Sequence, residues 1–344
     1  MTNKIGVLVV DDSLVMRQLL KEILEKDPDI NVIETAKNGV EAVIKTIELQ
    51  PNVVTLDIEM PKMDGLTALQ YIMNEKPVPV IMLSAMNKRQ ADIVIKALEM
   101  GAVDFIAKTS GTLSLDIEKV REEIIMKVKN AAKIEVKRIS PKSFEKVLVS
   151  NFKIKSGQTR IITIGASTGG PNALLEVLSS LPRDLPASVL IVQHMPEGFT
   201  QSLAERLNWQ TSLEVKEAKN GDKIEPGIVY IAPGNMHMQV EGNKIHLSNG
   251  VKVNYTRPSI DVLMESVAKQ YGPNAIGVLM TGMGSDGANG MKVIKDNSGR
   301  TIAQNKDTCT VFGMPKAAID MKAADKVLPL QKIARELIKM LQET

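Results

Sequence analysis

The chain has 344 residues, with 43 Lys and Arg against 40 Asp and Glu, a formal charge of +3, 44% hydrophobic and 24% charged residues. At roughly 100–200 residues per domain this length suggests two domains, and the composition excludes a disordered or fibrous chain. The balanced charge and the 3% aromatic content argue against a protein that coats nucleic acid, and the one cysteine, Cys309, excludes an internal disulfide framework. No apolar run approaches the roughly 20 residues that span a bilayer, and no basic and apolar leader follows Met1. The expected location is therefore the cytoplasm, without direct membrane insertion.

From the N-terminus, short β-branched runs alternate with helix-period segments. Strands are expected at 5–10, 53–57, 80–84 and 103–105, and helices at 13–26, 66–74, 90–100 and 115–132. The last carries Ile117, Val120, Ile124, Ile125 and Val128 on one face, which closes a first domain over 1–132. Residues 133–157 read as a linker. Pro141 and Gly157 interrupt the pattern, and eight Lys and Arg face two Asp and Glu from Lys133 to Arg160. The basic bias could meet an acidic partner, but a solvated connector is the simpler reading.

A second alternation fills 158–344. Strands are expected at 160–164, 189–193, 213–217, 228–232, 275–281 and 300–304, helices at 172–180, 200–208, 259–270, 290–296 and 330–341, and a hairpin-like stretch at 236–248. The fold class is α/β, with two doubly wound domains, each a mainly parallel sheet flanked by helices.

Functional groups in such sheets gather at the carboxyl ends of the strands. The strand at 5–10 runs into Asp11 and Asp12, that at 53–57 ends in Asp57, that at 80–84 in Ser84, and that at 103–105 runs through Phe105 into Lys108. Three carboxylates brought together repel one another, and call for a hard divalent cation such as magnesium. A lysine and a hydroxyl beside them suit phosphoryl transfer to a carboxylate. Each aspartate alone is better read as a helix cap or a solvated strand end; the joint order is what singles them out.

VLVVDDS at 7–13, LDIEMPKMDG at 56–65, MLSA at 82–85 and Lys108 resemble the receiver domain of two-component response regulators. The resemblance covers about residues 3–130. It implies Asp57 as phospho-acceptor, Asp11 and Asp12 as partners in holding magnesium with it, Ser84 and Lys108 as phosphate sensors, and Phe105 as the switch aromatic. One departure stands out: Thr109 follows Lys108 where the family usually has a proline in a cis bond. A non-proline cis bond costs about 2.5–4 kcal/mol, so the loop is either trans or held under strain.

After the strand at 160–164, Gly165 to Gly169 fits G-x-S-x-G, a sharp strand-to-helix turn that lifts Ser167 clear of the sheet. Pro171 suits the first turn of the following helix, where unpaired amides, Thr168 among them, could face an oxyanion. A phosphate-binding glycine loop competes with this reading, but neither G-x-G-x-x-G nor the P-loop spacing is present. His194 ends the strand at 189–193, and Asp286 follows the strand at 275–281. A serine needs a base, and the base needs a carboxylate to set its tautomer. His237 and His246 read as ordinary strand residues. Taken alone, His194 is a satisfied strand-end histidine and Asp286 a cap for the helix near Gly290, a role that could coexist with chemistry.

GASTGGP at 165–171, QHMP at 193–196 and TGMGSDGA at 281–288, joined to a receiver, resemble the protein-glutamate methylesterases of chemotaxis. The resemblance spans essentially the whole chain and implies a flavodoxin-like receiver followed by a Rossmann-like esterase domain. It implies Ser167 as nucleophile, His194 as general base and acid, Asp286 as orienting carboxylate, and the backbone N–H groups of Thr168 and Met283 as oxyanion donors. The implied activities are hydrolysis of glutamate γ-methyl esters and deamidation of glutamines. Methyl-accepting chemotaxis receptors are the implied substrates and a chemotaxis histidine kinase the implied phosphodonor. Magnesium is expected in the receiver and no cofactor in the esterase. In the family the receiver packs over the catalytic face, and phosphorylation loosens it. The rival is a receiver joined to a binding or transcriptional output. Against it, the second domain shows no compact helix-turn-helix and no basic recognition surface.

Overall fold

The computed structural model describes residues 4–108, 117–136 and 160–342. The chain divides into two compact units, residues 1–142 and 143–344. Thr109, most of the expected linker and the first residues of the helix expected at 115 lie outside the described residues.

The first unit runs β1 (Ile5–Val10), α1 (Leu14–Glu25), β2 (Ile30–Ala36), α2 (Gly39–Leu49), β3 (Val53–Asp57), α3 (Gly65–Glu75), β4 (Val80–Ala85), α4 (Lys88–Glu99), β5 (Asp104–Lys108) and α5 (Ile117–Ala131). The four helices α1 to α4 begin on Ser13, Asn38, Asp64 and Asn87, each accepting a backbone N–H of the first turn. The sheet is parallel in the order β2-β1-β3-β4-β5, so β1 and β3 are neighbours at the point where the winding reverses. The sequence reading assigned neither β2 nor α2. β2 is an edge strand: Ile30 and Val32 are buried while Asn31 and Ile33 are exposed, so it lacks the continuous apolar run of the central strands. On α5, Ile124 and Val128 are buried and Ile125 packs against them, as the expected face requires.

The second unit holds a seven-stranded sheet, ordered β14-β13-β12-β6-β7-β9-β8, whose recorded pairs are all parallel. The central strands are β6 (Arg160–Ala166), β7 (Ala187–Gln193) and β12 (Ala275–Leu279); β8 (Glu214–Glu217) and β9 (Ile228–Ile231) lie to one side, β13 (Arg300–Gln304) and β14 (Lys326–Leu328) to the other. β10 (His237–Glu241) and β11 (Lys244–Ser248) form the expected antiparallel hairpin as a separate sheet. The helices are α6 (Gly170–Ser179), α7 (Phe199–Gln210), α8 (Ile260–Tyr271), α9 (Ala288–Asp296), α10 (Met314–Asp320) and α11 (Leu330–Gln342). Neither α10 nor β14 was expected. They span seven and three residues, too short to show a period. Ile260, Leu263, Met264 and Val267 of α8 are fully buried in one core with Leu279 and Met291. That burial fixes the start of α8 over the ends of β6 and β12, where chain direction diverges and sites form.

Candidate active site

In the first unit Asp11 follows β1, and Asp57 and Lys108 are the last residues of β3 and β5. Lys108 Nζ lies 2.8 Å from Asp11 Oδ2 and 2.7 Å from Asp57 Oδ1. One carboxylate oxygen from each of Asp11, Asp12 and Asp57 falls within 4.8 Å of the others. Oxygen donors alone, two of them on buried residues, are the set a hard divalent cation takes, so these residues fit magnesium. Burial pushes the Asp57 carboxyl up to about 6 against the opposing pull of Lys108. Ser84 is fully buried at the end of β4, its Oγ 3.2 Å from Gln90 Oε1. Gln90, which also accepts the Ala85 N–H, carried no sequence signal of its own. Phe105 is buried in β5 with Lys127 Nζ 5.2 Å from its ring centroid. The glycine that closes the 56–65 motif has a steric reason: a Cβ at Gly65 would lie 2.0 Å from the Asp57 carbonyl oxygen.

In the second unit Ser167 leaves β6 directly. Its N–H donates to Thr281 O at 3.0 Å, and its carbonyl accepts from Gly170 N at 2.8 Å and from Gln193 Nε2 at 2.9 Å. Gly169 caps α6 in the left-handed region, φ +76°, and a Cβ there would lie 2.3 Å from Thr310 Oγ1. At Gly282 a Cβ would come within 2.7 Å of Ser167 Cβ, so the loop after β12 approaches the serine closely because that position has no side chain. Thr168 and Met283, the expected amide donors, are thus the residues that directly follow Ser167 and Gly282.

His194 begins where β7 ends, with its N–H on Ala166 O at 3.1 Å. Its Nε2 lies 2.8 Å from Asp286 Oδ2, so the expected base and carboxylate are paired. The described residues show no hydrogen bond between Ser167 Oγ and the His194 ring; such contacts are often long in free hydrolases and tighten with substrate.

Asp286 is 3% exposed and accepts from Ser259 Oγ at 2.8 Å, Ile260 N at 2.7 Å, Asp261 N at 3.2 Å, Asn254 Nδ2 at 3.1 Å and Thr256 Oγ1 at 3.3 Å. Burial opposes its ionisation. The His194 hydrogen bond and charge, the Ile260 amide and the Ser259 hydroxyl outweigh burial and hold the carboxyl well below its ordinary value. The alternative role for Asp286, capping the helix near Gly290, falls to another residue: Asp261 Oδ1 takes the amides of Gly287 and Gly290, at 2.9 and 2.7 Å. Asp286 instead faces the N-terminus of α8, whose exposed amides favour an anion.

Sequence reasoning missed Asn254, Thr256, Ser259 and Asp261. A capping signal was present in Ser259, which precedes the periodic run, but nothing in the spacing ties residues 254–261 to position 286. His237, read as an ordinary strand residue, is buried with both nitrogens bonded, to Val251 O at 2.9 Å and Ser259 N at 3.2 Å.

A serine hydrolase fold carried on the same chain as a receiver is the class these two units define. The family model for the CheB methylesterase matches residues 162–337, and that for the response regulator receiver domain matches residues 7–117. A protein-glutamate methylesterase/protein-glutamine glutaminase of Archaeoglobus fulgidus is 47% identical, with 98% of each chain covered. Its counterpart in Halalkalibacterium halodurans is also 47% identical, over 98% of this chain and 99% of that one. The crystal structure of the Thermotoga maritima CheB methylesterase catalytic domain is 44% identical with a TM-score of 0.52, covering 54% of this chain and all of that one. The chain belongs to the CheB methylesterase family, and carries that family's receiver and esterase domains in one polypeptide.

Proposed function

We propose that Ser167 is the nucleophile of a phosphorylation-activated hydrolase that demethylates glutamate γ-methyl esters and deamidates glutamines on chemotaxis receptors. The observation that carries this reading is the pairing of His194 with a buried, ionised Asp286 at the strand ends that flank Ser167. With Nε2 bonded to Asp286, Nδ1 is the ring nitrogen left to act as base.

Ser167 Oγ attacks the γ-carbonyl as its proton passes to His194. The tetrahedral oxyanion is met by the amides of Thr168 and Met283, donors of a kind worth about 3 kcal/mol each. As the intermediate collapses, the carbon–oxygen bond of the ester breaks and His194 returns the proton to the departing methoxide, so that methanol leaves. Water, deprotonated by His194, then opens the acyl-enzyme to a glutamate carboxylate and regenerates Ser167. From a γ-amide the same sequence releases ammonia. Asp286 keeps the proton of Nε2 in place and stabilises the imidazolium that forms.

Control is assigned to Asp57, phosphorylated by a chemotaxis histidine kinase. Asp11, Asp12 and Asp57 would hold magnesium, which neutralises the phosphoryl oxygens when bound. In this reading Lys108 and Ser84 sense the phosphate, and Phe105 reports it. A phosphoryl group changes activity only through its unequal affinity for the two states of the receiver. The domain limits that accompany this reading are 1–132 for the receiver, 133–157 for the connector and 158–344 for the esterase, acting in the cytoplasm. No helix among the described residues is long and apolar enough to cross a membrane.

The test is methanol release from methylated receptor by wild type, by Ser167→Ala, and by wild type treated with magnesium and a small phosphodonor. Release that disappears in the variant and rises with the donor supports both halves. Release that persists in Ser167→Ala overturns the nucleophile, and release indifferent to the donor overturns the control.

A further inference from the structure

The segment from Asn249 to Arg257 is tied down along its length. Arg257 Nη1 donates to the carbonyls of Asn249 and Gly250 at 2.6 and 2.7 Å, while Nε and Nη2 reach Asn235 Oδ1 at 3.1 and 2.7 Å. His237 Nδ1 accepts from Ser259 N, so Nε2 carries the proton and donates to Val251 O at 2.9 Å. Val253 and Thr256 exchange N–H···O bonds of 3.1 and 2.9 Å across a tight turn whose central residues, Asn254 and Tyr255, have φ of +51° and +63°. From that turn the Asn254 amide and the Thr256 hydroxyl reach Asp286.

Two side chains between these anchors point the other way. Val251 is 86% exposed and Tyr255 96% exposed, the two most exposed large apolar side chains among the described residues. Asparagine tolerates the left-handed region and glycine is favoured in the second place of such a turn; a bulky aromatic residue there is an outlier. A strained aromatic, fully in water, one residue away from two contacts with the carboxylate that orients His194 points to a function.

We propose that Val251 and Tyr255 form the rim that contacts the substrate, packing against apolar side chains of the receptor beside the esterified glutamate. The proposal rests on the function proposed above. A γ-methyl ester is small and common to every esterified glutamate, so affinity for a protein substrate has to come from the surface around the serine. A loop already rigid before binding loses little freedom on binding, and an exposed aromatic residue on it is an efficient anchor. The tight turn also sets the distance of that anchor from Asp286.

The test uses the full chain, methylated receptor as substrate, and a small fluorophosphonate that reports the reactivity of Ser167 alone. Tyr255→Ser and the double variant Val251→Ser/Tyr255→Ser are expected to lower kcat/KM on receptor about tenfold, mostly through KM, while fluorophosphonate labelling stays within about twofold of wild type. Tyr255→Phe should keep receptor turnover. Tyr255→Gly, which relieves the left-handed strain, should be at least as stable as wild type and still lose receptor turnover. Unchanged receptor turnover in the serine variants overturns the rim. Labelling that falls in step with turnover overturns it too, since the loop would then act only by holding Asp286. If wild type releases no methanol from receptor, the proposed function fails first and the rim with it.

Discussion

Asp261 and Asp286 each cap the helix that the other belongs to or precedes. Asp261, in the first turn of α8, accepts the amides of Gly287 and Gly290 at the start of α9, and Asp286, just before α9, accepts the amides of Ile260 and Asp261 at the start of α8. One side-chain amide joins them: Asn254 Nδ2 lies 2.9 Å from Asp261 Oδ2 and 3.1 Å from Asp286 Oδ1. Burial raises the Asp261 carboxyl, the Gly290 amide pulls against it, and the charge of Asp286 adds to the rise. Two neighbouring carboxyl groups are thereby pushed apart in affinity for protons, Asp261 upward and Asp286 downward.

Asn254→Ala removes the shared donor and leaves the two carboxylates face to face. Stability should fall by about 1–3 kcal/mol in urea unfolding, and fluorophosphonate labelling of Ser167 should slow by about tenfold. Asn254→Asp should be worse on both counts, because it adds a third carboxylate where a donor stood. Wild-type labelling by Asn254→Ala would mean that Asp286 is oriented without it.

Asp286→Asn should lower esterase turnover by a factor on the order of 10⁴, the scale seen when an orienting carboxylate is neutralised in other hydrolases. The same variant gives a pH signature. The folded-state value of Asp286 lies below its unfolded value, so its ionisation contributes stability above the ordinary carboxylate range, about 4, and that contribution is lost as pH falls through the folded value. The urea midpoint of wild type should therefore exceed that of the variant by a steady margin near neutrality and lose the margin below about pH 4. A margin independent of pH would mean that Asp286 carries no charge in the fold.

Gly170 and Gln193 act as a pair behind the serine. A Cβ at Gly170 would lie 1.9 Å from Gln193 Oε1, and Gln193 Nε2 bonds both Ser167 O and His194 O, at 2.9 and 3.3 Å. Gly170→Ala should displace the glutamine and cost roughly tenfold in labelling, Gln193→Ala should cost a similar amount, and the double variant should be no worse than either alone. Costs that add would show two separate roles.

In the receiver, Lys108 holds Asp11 and Asp57 together and competes with any cation for their oxygens. Lys108→Ala should bind magnesium several-fold more tightly by calorimetry, because the carboxylates lose their compensating charge. It should also lose the rise in esterase activity on treatment with phosphodonor. Weaker magnesium binding in the variant would show that the lysine shapes the pocket more than it competes for it.

The strand-end residues were legible in the sequence because parallel sheets announce themselves as short apolar runs, and their ends are marked by polar residues such as Asp11, Asp57, Ser84, His194 and Asp286. The glycine turns were legible for a related reason: Gly65, Gly169 and Gly282 stand where any Cβ would meet a neighbour. Strand β2, at an edge and with its buried–exposed alternation broken after Ile33, and the short α10 and β14 gave too little periodicity to find.

What the sequence by itself determined was the alternation of strands and helices, the order of the two domains and the identity of the groups at the strand ends, all of which follow from local pattern. Which carboxylate caps which helix, that Asn254 is shared between Asp261 and Asp286, and that Tyr255 is left in water beside them were decided by the tertiary structure. Apart from the Asn254–Asp261 bond, seven residues apart, those relations join positions 25 to 32 residues apart through hydrogen bonds. Hydrogen bonds at that separation exist only after the core has placed α8 and α9 side by side, and no local period records them.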